Sequence, residues 1–262
     1  SSDLKHSKLQ TKTKARKRRG NSRYFLFFII ILIGIAALGF TGFEVLSRMD
    51  MLDVRQIEIS GNSAVADSLL RAELKPYLGQ NLLKVDKKQV SQRVTAFARV
   101  KEARVRRKLF NTLLVQVTER KASLYVKSLE GELFPIDAEG VVLERFGSVY
   151  TENLPLVGLL LSNSEFKSGE KIKNASLNRI LATHSRILKE APDFAQNVSE
   201  YYTLDNVVYI VDIRGGERII PGEKNLAKQL SRYEFVRDNG NIAPSAILDL
   251  RLDNQVLVKK VN

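Results

Sequence analysis

The sequence has no cysteine among its 262 residues. That excludes a disulfide framework, a thiolate metal site and a cysteine nucleophile, whichever compartment the chain occupies. Histidine is nearly as scarce: there are two, and only His184 lies beyond the N-terminal tail. A lone imidazole builds neither a catalytic pair nor a metal centre, and His184 falls on the apolar stripe of a predicted helix, where it reads as a core or boundary residue. The 15 glycines are scattered among turns, so no glycine-rich phosphate loop forms and no nucleotide is indicated. Asp137, Glu139 and Glu144 come nearest to the paired acids of wall-sugar hydrolysis, but they fall on turns and strand exteriors and read as solvated charges. The sequence therefore reads as a binding protein without catalysis, cofactor or small-molecule substrate.

Positive charge is abundant but unevenly placed. The chain carries 42 Lys and Arg against 29 Asp and Glu, a net +13. Residues 1–23 hold nine of the bases and a single Asp, which leaves +5 for everything that follows. The rest, at 44% hydrophobic and 27% charged across the chain, has the composition of a globular protein long enough for two modest domains. A basic tail of this kind attracts anionic lipid and can touch nucleic acid, but topology alone accounts for it, and no nucleic-acid role is needed.

Tyr24 to Phe43 is a run of twenty residues without a charge and with one plainly polar side chain, Thr41. At about 1.5 Å per helical residue it spans roughly 30 Å, the depth of a bilayer's hydrocarbon core. Ala37-Leu38-Gly39 resembles a signal cleavage site, but signal-peptide apolar regions run only about 7 to 15 residues. The sequence thus predicts a basic tail over 1–23 and an uncleaved transmembrane helix over 24–46. Basic residues crowd its front flank, while Glu44, Asp50, Asp53 and Glu58 outnumber Arg48 and Arg55 behind it. Positive charge stays inside, so the tail is expected in the cytoplasm and the bulk outside.

Residues 53–120 predict a first exported domain. Val54 to Ile59 alternates as a half-buried strand and stops at Ser60-Gly61-Asn62. A helix capped by Ser63 follows, with Val65, Leu69, Leu70 and Leu74 inward and Pro76 and Gly79 as breakers. A second helix opens with Asp86 as cap, Gln89 as its reciprocal partner and Val85 and Val90 as a hydrophobic staple; Val90, Val94 and Phe97 form its stripe. Strands near Val100–Arg107 and Leu113–Arg120 complete a β-α-α-β-β order, whose helices can cover one sheet face and leave the other, or an edge, open. Arg104 and Arg106 share a strand face beside Arg107, a surface suited equally to solvent, lipid or an acidic partner.

Residues 121–262 predict a second domain. Strands at Ser123–Lys127, Glu132–Ile136 and Val141–Phe146 read as a meander. The polar stretch Ser162–Lys173 reads as loop. A helix over Asn174–Glu190 carries Leu177, Ile180, Leu181, His184, Ile187 and Leu188 on one stripe. Strands at Val198–Leu204 and Val207–Arg214 flank an Asp205-Asn206 hairpin, and a helix over Gly222–Arg237 buries Leu226, Leu230 and Tyr233. Strands at Ala246–Leu252 and Gln255–Val261 follow, the last expected as an uncovered edge. The fold class is α+β: the transmembrane helix, a β-α-α-β-β domain, then a mixed α/β domain with an antiparallel meander-type sheet.

The segments VRQIEISGN, LGQNLLKVDKKQV, FARVKEARVRRKLFNTLLVQVTERKA and LFPIDAEGVVLE, in this order behind a basic tail and a single span, resemble the FtsQ/DivIB family of bacterial cell-division proteins. The first three resemble its POTRA domain, the fourth the opening of its β domain, and Leu154–Gly158 the family's connection after the meander; Phe110 stands where members usually carry Pro. The resemblance implies a non-enzymatic divisome scaffold in the bacterial inner membrane. It would act at the septum, bind FtsB-like and FtsL-like bitopic proteins as a heterotrimer, and link early and late assembly to septal wall synthesis. It also places partner binding on Arg251, Leu252, Asn254, Gln255, Val256, Val258 and Lys260, with Leu252 and Lys260 where some relatives have aromatics. Two other readings stand beside it: a POTRA-bearing secretion or outer-membrane assembly factor, and an anchored wall enzyme.

Overall fold

The computed structural model describes residues 22–46, 50–108, 111–143 and 153–259. The chain divides into one unit up to Leu52 and a second from Asp53 to Asn262. The first is α1 (Ser22–Leu46), whose Tyr24–Gly42 stretch has a mean hydropathy of 2.6 and buries none of its residues against protein. A helix this apolar, with no protein cover, is matched in length and composition to a bilayer, and the chain is compatible with a single-pass membrane protein. The Thr41 hydroxyl donates to the carbonyls of Ala37 and Leu38, so its polar group is satisfied within the helix. The basic tail lies outside the described residues.

The second unit opens with β1 (Gln56–Ser60), α2 (Asp67–Leu74), α3 (Lys87–Thr95), β2 (Val100–Lys108) and β3 (Thr112–Glu119). The sheet order is β1-β3-β2, with β1 parallel and β2 antiparallel to β3. Strand alternation sends Ile57, Ala103, Leu113, Val115 and Val117 into one core with Leu70, Leu74, Val90 and Val94 of the helices. Arg104, Arg106, Gln116 and Thr118 alternate with them and are exposed, so the opposite sheet face is open, as expected. Gly61 turns the chain after β1 at φ +85°, and a Cβ there would sit 2.2 Å from the Val117 carbonyl oxygen, so only glycine fits.

Local details differ from expectation. Asp86 caps α3 by accepting the Lys88 N–H at 2.8 Å, not through a reciprocal box with Gln89. Ser63 does not cap α2, which starts at Asp67 after Ala66 with no side-chain cap. The N–H groups of Ala64 and Val65 donate instead to the Glu119 carboxylate at 2.8 and 2.9 Å, which holds this segment out of the helix. Leu69 consequently faces solvent, 43% exposed. Phe110 lies outside the described residues.

The remainder forms β4 (Ala122–Lys127), β5 (Leu133–Asp137), β6 (Leu156–Gly158), α4 (Ala175–Glu190), α5 (Pro192–Ala195), β7 (Val198–Leu204), β8 (Val207–Asp212), β9 (Arg218–Ile220), α6 (Leu226–Asn239), β10 (Ile247–Asp249) and β11 (Leu257–Lys259). They build an eight-stranded sheet in the order β11-β10-β9-β8-β7-β6-β4-β5. It is mixed and not simply antiparallel, because β4–β6, β6–β7 and β9–β10 pair in parallel. Leu154–Gly158 contains a central strand, β6, where a connection was expected. The expected third meander strand makes only bridges at Val141 and Val142, and its remainder is outside the described residues. Asp205 and Asn206, at φ 49° and 64°, form the tight left-handed turn their residue types favour. Asn174 caps α4 through the Leu177 N–H, while Leu188 is 48% exposed and leaves the predicted stripe. The helix expected from Gly222 begins at Leu226, since Gly222 is pinned by Gln229.

One row crosses the whole sheet. Phe134, Val126, Val157, Tyr201, Ile210, Ile219, Leu248 and Val258 are successive register partners from β5 to β11. The first seven belong to the core under α4 and α6. The eighth does not.

Candidate partner-binding edge

β11 ends the sheet, and among the described residues no further strand pairs with its outer side. Its register with β10 is Ile247↔Lys259, Leu248↔Val258 and Asp249↔Leu257. Val258 therefore continues the core row on the helix-covered face, yet it is 42% exposed where Leu248 is fully buried. Leu257 points to the opposite face with Asp249 and is 46% exposed. Leu257 was absent from the residues expected by resemblance, although strand alternation at an edge exposes one residue of each parity.

The expected binding residues occupy β11 and the turn that leads into it. Arg251 folds back on Asp249, with Nε on Oδ1 at 2.9 Å and Nη2 on Oδ2 at 2.5 Å, and its backbone N–H also donates to Oδ1. The guanidinium holds the Asp249 carboxyl below its ordinary range. Leu252 is 51% exposed, and its carbonyl accepts a long bond from Arg232. Asn254 takes φ 63°, the left-handed conformation that Asn tolerates in turns. Gln255 is exposed, whereas Val256 packs against the core and anchors the start of β11. Lys260 lies outside the described residues. The turn thus brings Arg251, Leu252, Gln255 and Val258 to the surface and Val256 inward.

A cleft of about 720 Å³ opens beside this turn, lined by Arg179, Arg186, Lys224, Arg251 and Asp253 among others. Arg179 donates to Asn206, and Arg186 to the Gly222 carbonyl. The loop forming its wall is fixed by buried Gln229, which accepts from the Gly222 N–H and donates to the Lys224 carbonyl. A Cβ on Gly222 would meet Gln229 Nε2 at 2.5 Å, so a larger residue there would displace the side chain that fixes this wall. Of its four cations, Arg251 is paired with Asp249 and Arg186 with Glu190, while Glu223 and Asp253 add two lining acids, so the cleft is polar with little net charge.

The other singled-out residues are structural. His184 is buried with Nδ1 2.9 Å from the Tyr201 hydroxyl, and burial pushes its pKa down to about 4. Asp137 is buried, not solvated as expected, because Arg120 and the N–H groups of Glu139 and Val141 satisfy its carboxylate. Glu144 lies outside the described residues. Among the described residues, no three His, Asp or Glu are grouped to hold a metal ion.

A family model described as POTRA domain, FtsQ-type, matches residues 52–120, the β-α-α-β-β unit that precedes the eight-stranded sheet. Relatives extend the likeness. Cell division protein DivIB of Clostridium botulinum (strain Hall) is 25% identical over 179 residues, 67% of this chain and 66% of the relative. Cell division protein FtsQ of Geobacter sp. (strain M21) is 25% identical over 234 residues, 86% of this chain and 84% of the relative. FtsQ of Caulobacter vibrioides (strain NA1000) is 36% identical over 104 residues, 40% of this chain and 34% of the relative. Residues 52–120 thus carry an FtsQ-type POTRA domain, and the chain is similar to cell-division proteins of the FtsQ/DivIB family; its match spans about two thirds of the length of the Clostridium relative.

Proposed function

We propose that this protein is a non-enzymatic scaffold of the bacterial divisome, and that it captures an FtsB-like partner, with an FtsL-like protein, by adding a strand from that partner to β11. The observation that carries the reading is the core row that reaches the unpaired edge at Val258 and stops there 42% exposed. A partner strand would extend both the backbone ladder and this row. Leu257 and Val258 would supply apolar contacts on the two faces, and the polar cleft beside Arg251 would receive polar side chains that flank the added strand. Exposed main-chain groups on a sheet edge supply register, and side chains of alternating parity supply selectivity.

The function follows from position as well as contact. With α1 in the inner membrane and the basic tail in the cytoplasm, residues 53–120 and 121–262 are two extracytoplasmic domains that hold bitopic partners at the septum and restrain wall synthesis. A reporter fused after Asn262 is expected to be active only outside the cytoplasm. For the binding edge, the full chain is co-purified from bacterial membranes with FtsB-like and FtsL-like proteins. Adjacent backbone N–H groups of a strand point to opposite sides, so of Val258→Pro and Lys259→Pro one removes a donor from the outer edge alone. That variant, with an unchanged circular dichroism spectrum, is expected to lose the partner. Full capture by both folded variants would exclude strand addition at β11.

A further inference from the structure

The basic charge of the exported chain is concentrated in one place. Residues 53–120 carry 14 Lys and Arg against 7 Asp and Glu, whereas residues 121–262 carry 18 against 19. Within 53–120 the fold gathers bases at the end where the chain enters. Asp53 bridges to Asn81, the Val54 N–H donates to Gln80, and the Arg55 N–H donates to Asn111, so the entry lies between the 79–81 loop and the end of the β2–β3 hairpin. Arg107 Nη2 donates to the carbonyls of Leu83 and Val85 at 3.1 and 2.9 Å, which ties the loop carrying Lys84 to the basic end of β2. Lys87 and Lys88 follow on the first turn of α3.

We infer that this end of the first exported domain binds an anionic phospholipid surface through Arg55, Lys84, Lys87, Lys88, Arg106 and Arg107, all of them exposed. Among the described residues, Arg107 alone of these makes side-chain hydrogen bonds, and those are to carbonyls, so no described carboxylate pairs with the six. Of the nearby acids, Glu58 pairs with Lys108, whereas Asp53 and Asp86, the latter accepting the Lys88 N–H, remain, so six bases stand against two acids at this end. Leu78, 46% exposed beside Arg55, adds an apolar contact at headgroup depth. Six residues separate Leu46 from Asp53, and at roughly 3.5 Å per residue such a connection reaches no more than about 25 Å. A short tether gives a high effective concentration, so weak attractions summed over several bases suffice to hold the domain on the bilayer. The inference rests on the membrane-spanning reading of α1.

The full chain contains no cysteine, so Gln89→Cys on α3 accepts a single environment-sensitive fluorophore. Labelled full chain is reconstituted into vesicles of phosphatidylcholine alone, or of phosphatidylcholine mixed with phosphatidylglycerol. The expected result is emission blue-shifted and quenched by nitroxide-bearing lipid only in the mixed vesicles, with the effect abolished by molar salt. Lys84→Gln and Lys88→Gln, with unchanged circular dichroism, are each expected to lower the docked-to-free ratio about fivefold. Equal quenching in both vesicle types, or quenching untouched by the folded Lys84→Glu/Lys88→Glu double variant, overturns the inference. Alkaline extraction separates the two readings: a chain that washes out of the vesicles fails as a membrane span, whereas one that stays embedded without quenching fails only here.

Discussion

Leu248 and Val258 lie opposite each other on β10 and β11, the one fully buried and the other 42% exposed. The same sheet row thus passes from core to surface in one strand. Leu248→Ala removes packed methylenes beneath α6 and is expected to cost about 2–5 kcal/mol in a denaturant titration. Val258→Ala removes only half-exposed atoms and is expected to cost under about 1 kcal/mol while measurably weakening partner capture. Comparable stability losses in the two variants would mean that Val258 is already covered by the chain itself.

Buried His184 makes stability depend on pH in a defined window. Its folded pKa of about 4 lies below the ordinary value near 6.5, so the unfolded chain takes up a proton that the folded chain refuses. Stability is expected to fall as pH drops from about 6.5 towards 4, by at most about 3 kcal/mol, and this contribution levels off below that. The Asp249 and Glu139 carboxyls, held low by Arg251 and by Lys101 with Arg120 respectively, lose their contributions only below about pH 4.5. Melting temperatures of the wild type and of His184→Gln, followed between those limits, separate the two, since the variant is expected to show the flatter profile.

Elements whose period repeats several times were legible in the sequence. The α4 stripe from Leu177 to Ile187 and the alternation of β2 and β3 are examples. β6 and β9 were not, because a three-residue strand contains no full alternation, and its pairing is decided by distant segments. Leu188 and Leu69 were assigned inward because periodicity gives a stripe its angle but not its width. At the candidate edge, the strand order that leaves the outer side of β11 unpaired among the described residues matches the expectation of an exposed last strand. The cleft wall was illegible, since it depends on Gln229 bonding Gly222 seven residues away, a contact that no local pattern announces.

Glu119 supplies the third test. Its carboxylate accepts two backbone N–H groups, and Val65, which bears one of them, is fully buried. Glu119→Ala is expected to destabilise by about 1–3 kcal/mol, since at least one buried donor loses its partner. Ser63→Ala touches no cap and is expected to stay within about 0.5 kcal/mol of wild type. The reverse ranking in chemical denaturation would restore Ser63 as the helix cap.

Arg120 joins the two sheets of residues 53–262. Its Nη1 donates to Asp137 at 2.5 Å and to Glu139 at 2.8 Å, and Lys101 of β2 reaches Glu139 at 2.6 Å. Arg120 and Asp137 are largely shielded, with side chains 18% and 7% exposed, whereas Lys101 and Glu139 are about half exposed. Magnitudes follow from that contrast. Arg120→Met preserves the aliphatic packing but strands the Asp137 charge, which keeps only its two turn N–H donors, and a loss of about 2–4 kcal/mol is expected. Lys101→Met removes a solvent-screened pair and is expected to cost less than about 1 kcal/mol. A double-mutant cycle between Arg120→Met and Asp137→Asn is expected to show coupling above about 1 kcal/mol. Because the pair bridges separate cores, calorimetry should also distinguish the variants: the wild type and Lys101→Met melt residues 53–262 in one transition, and Arg120→Met separates it into two. A single unshifted transition in Arg120→Met would show that the backbone and the loop packed on Ala98 couple the cores without the ion pair.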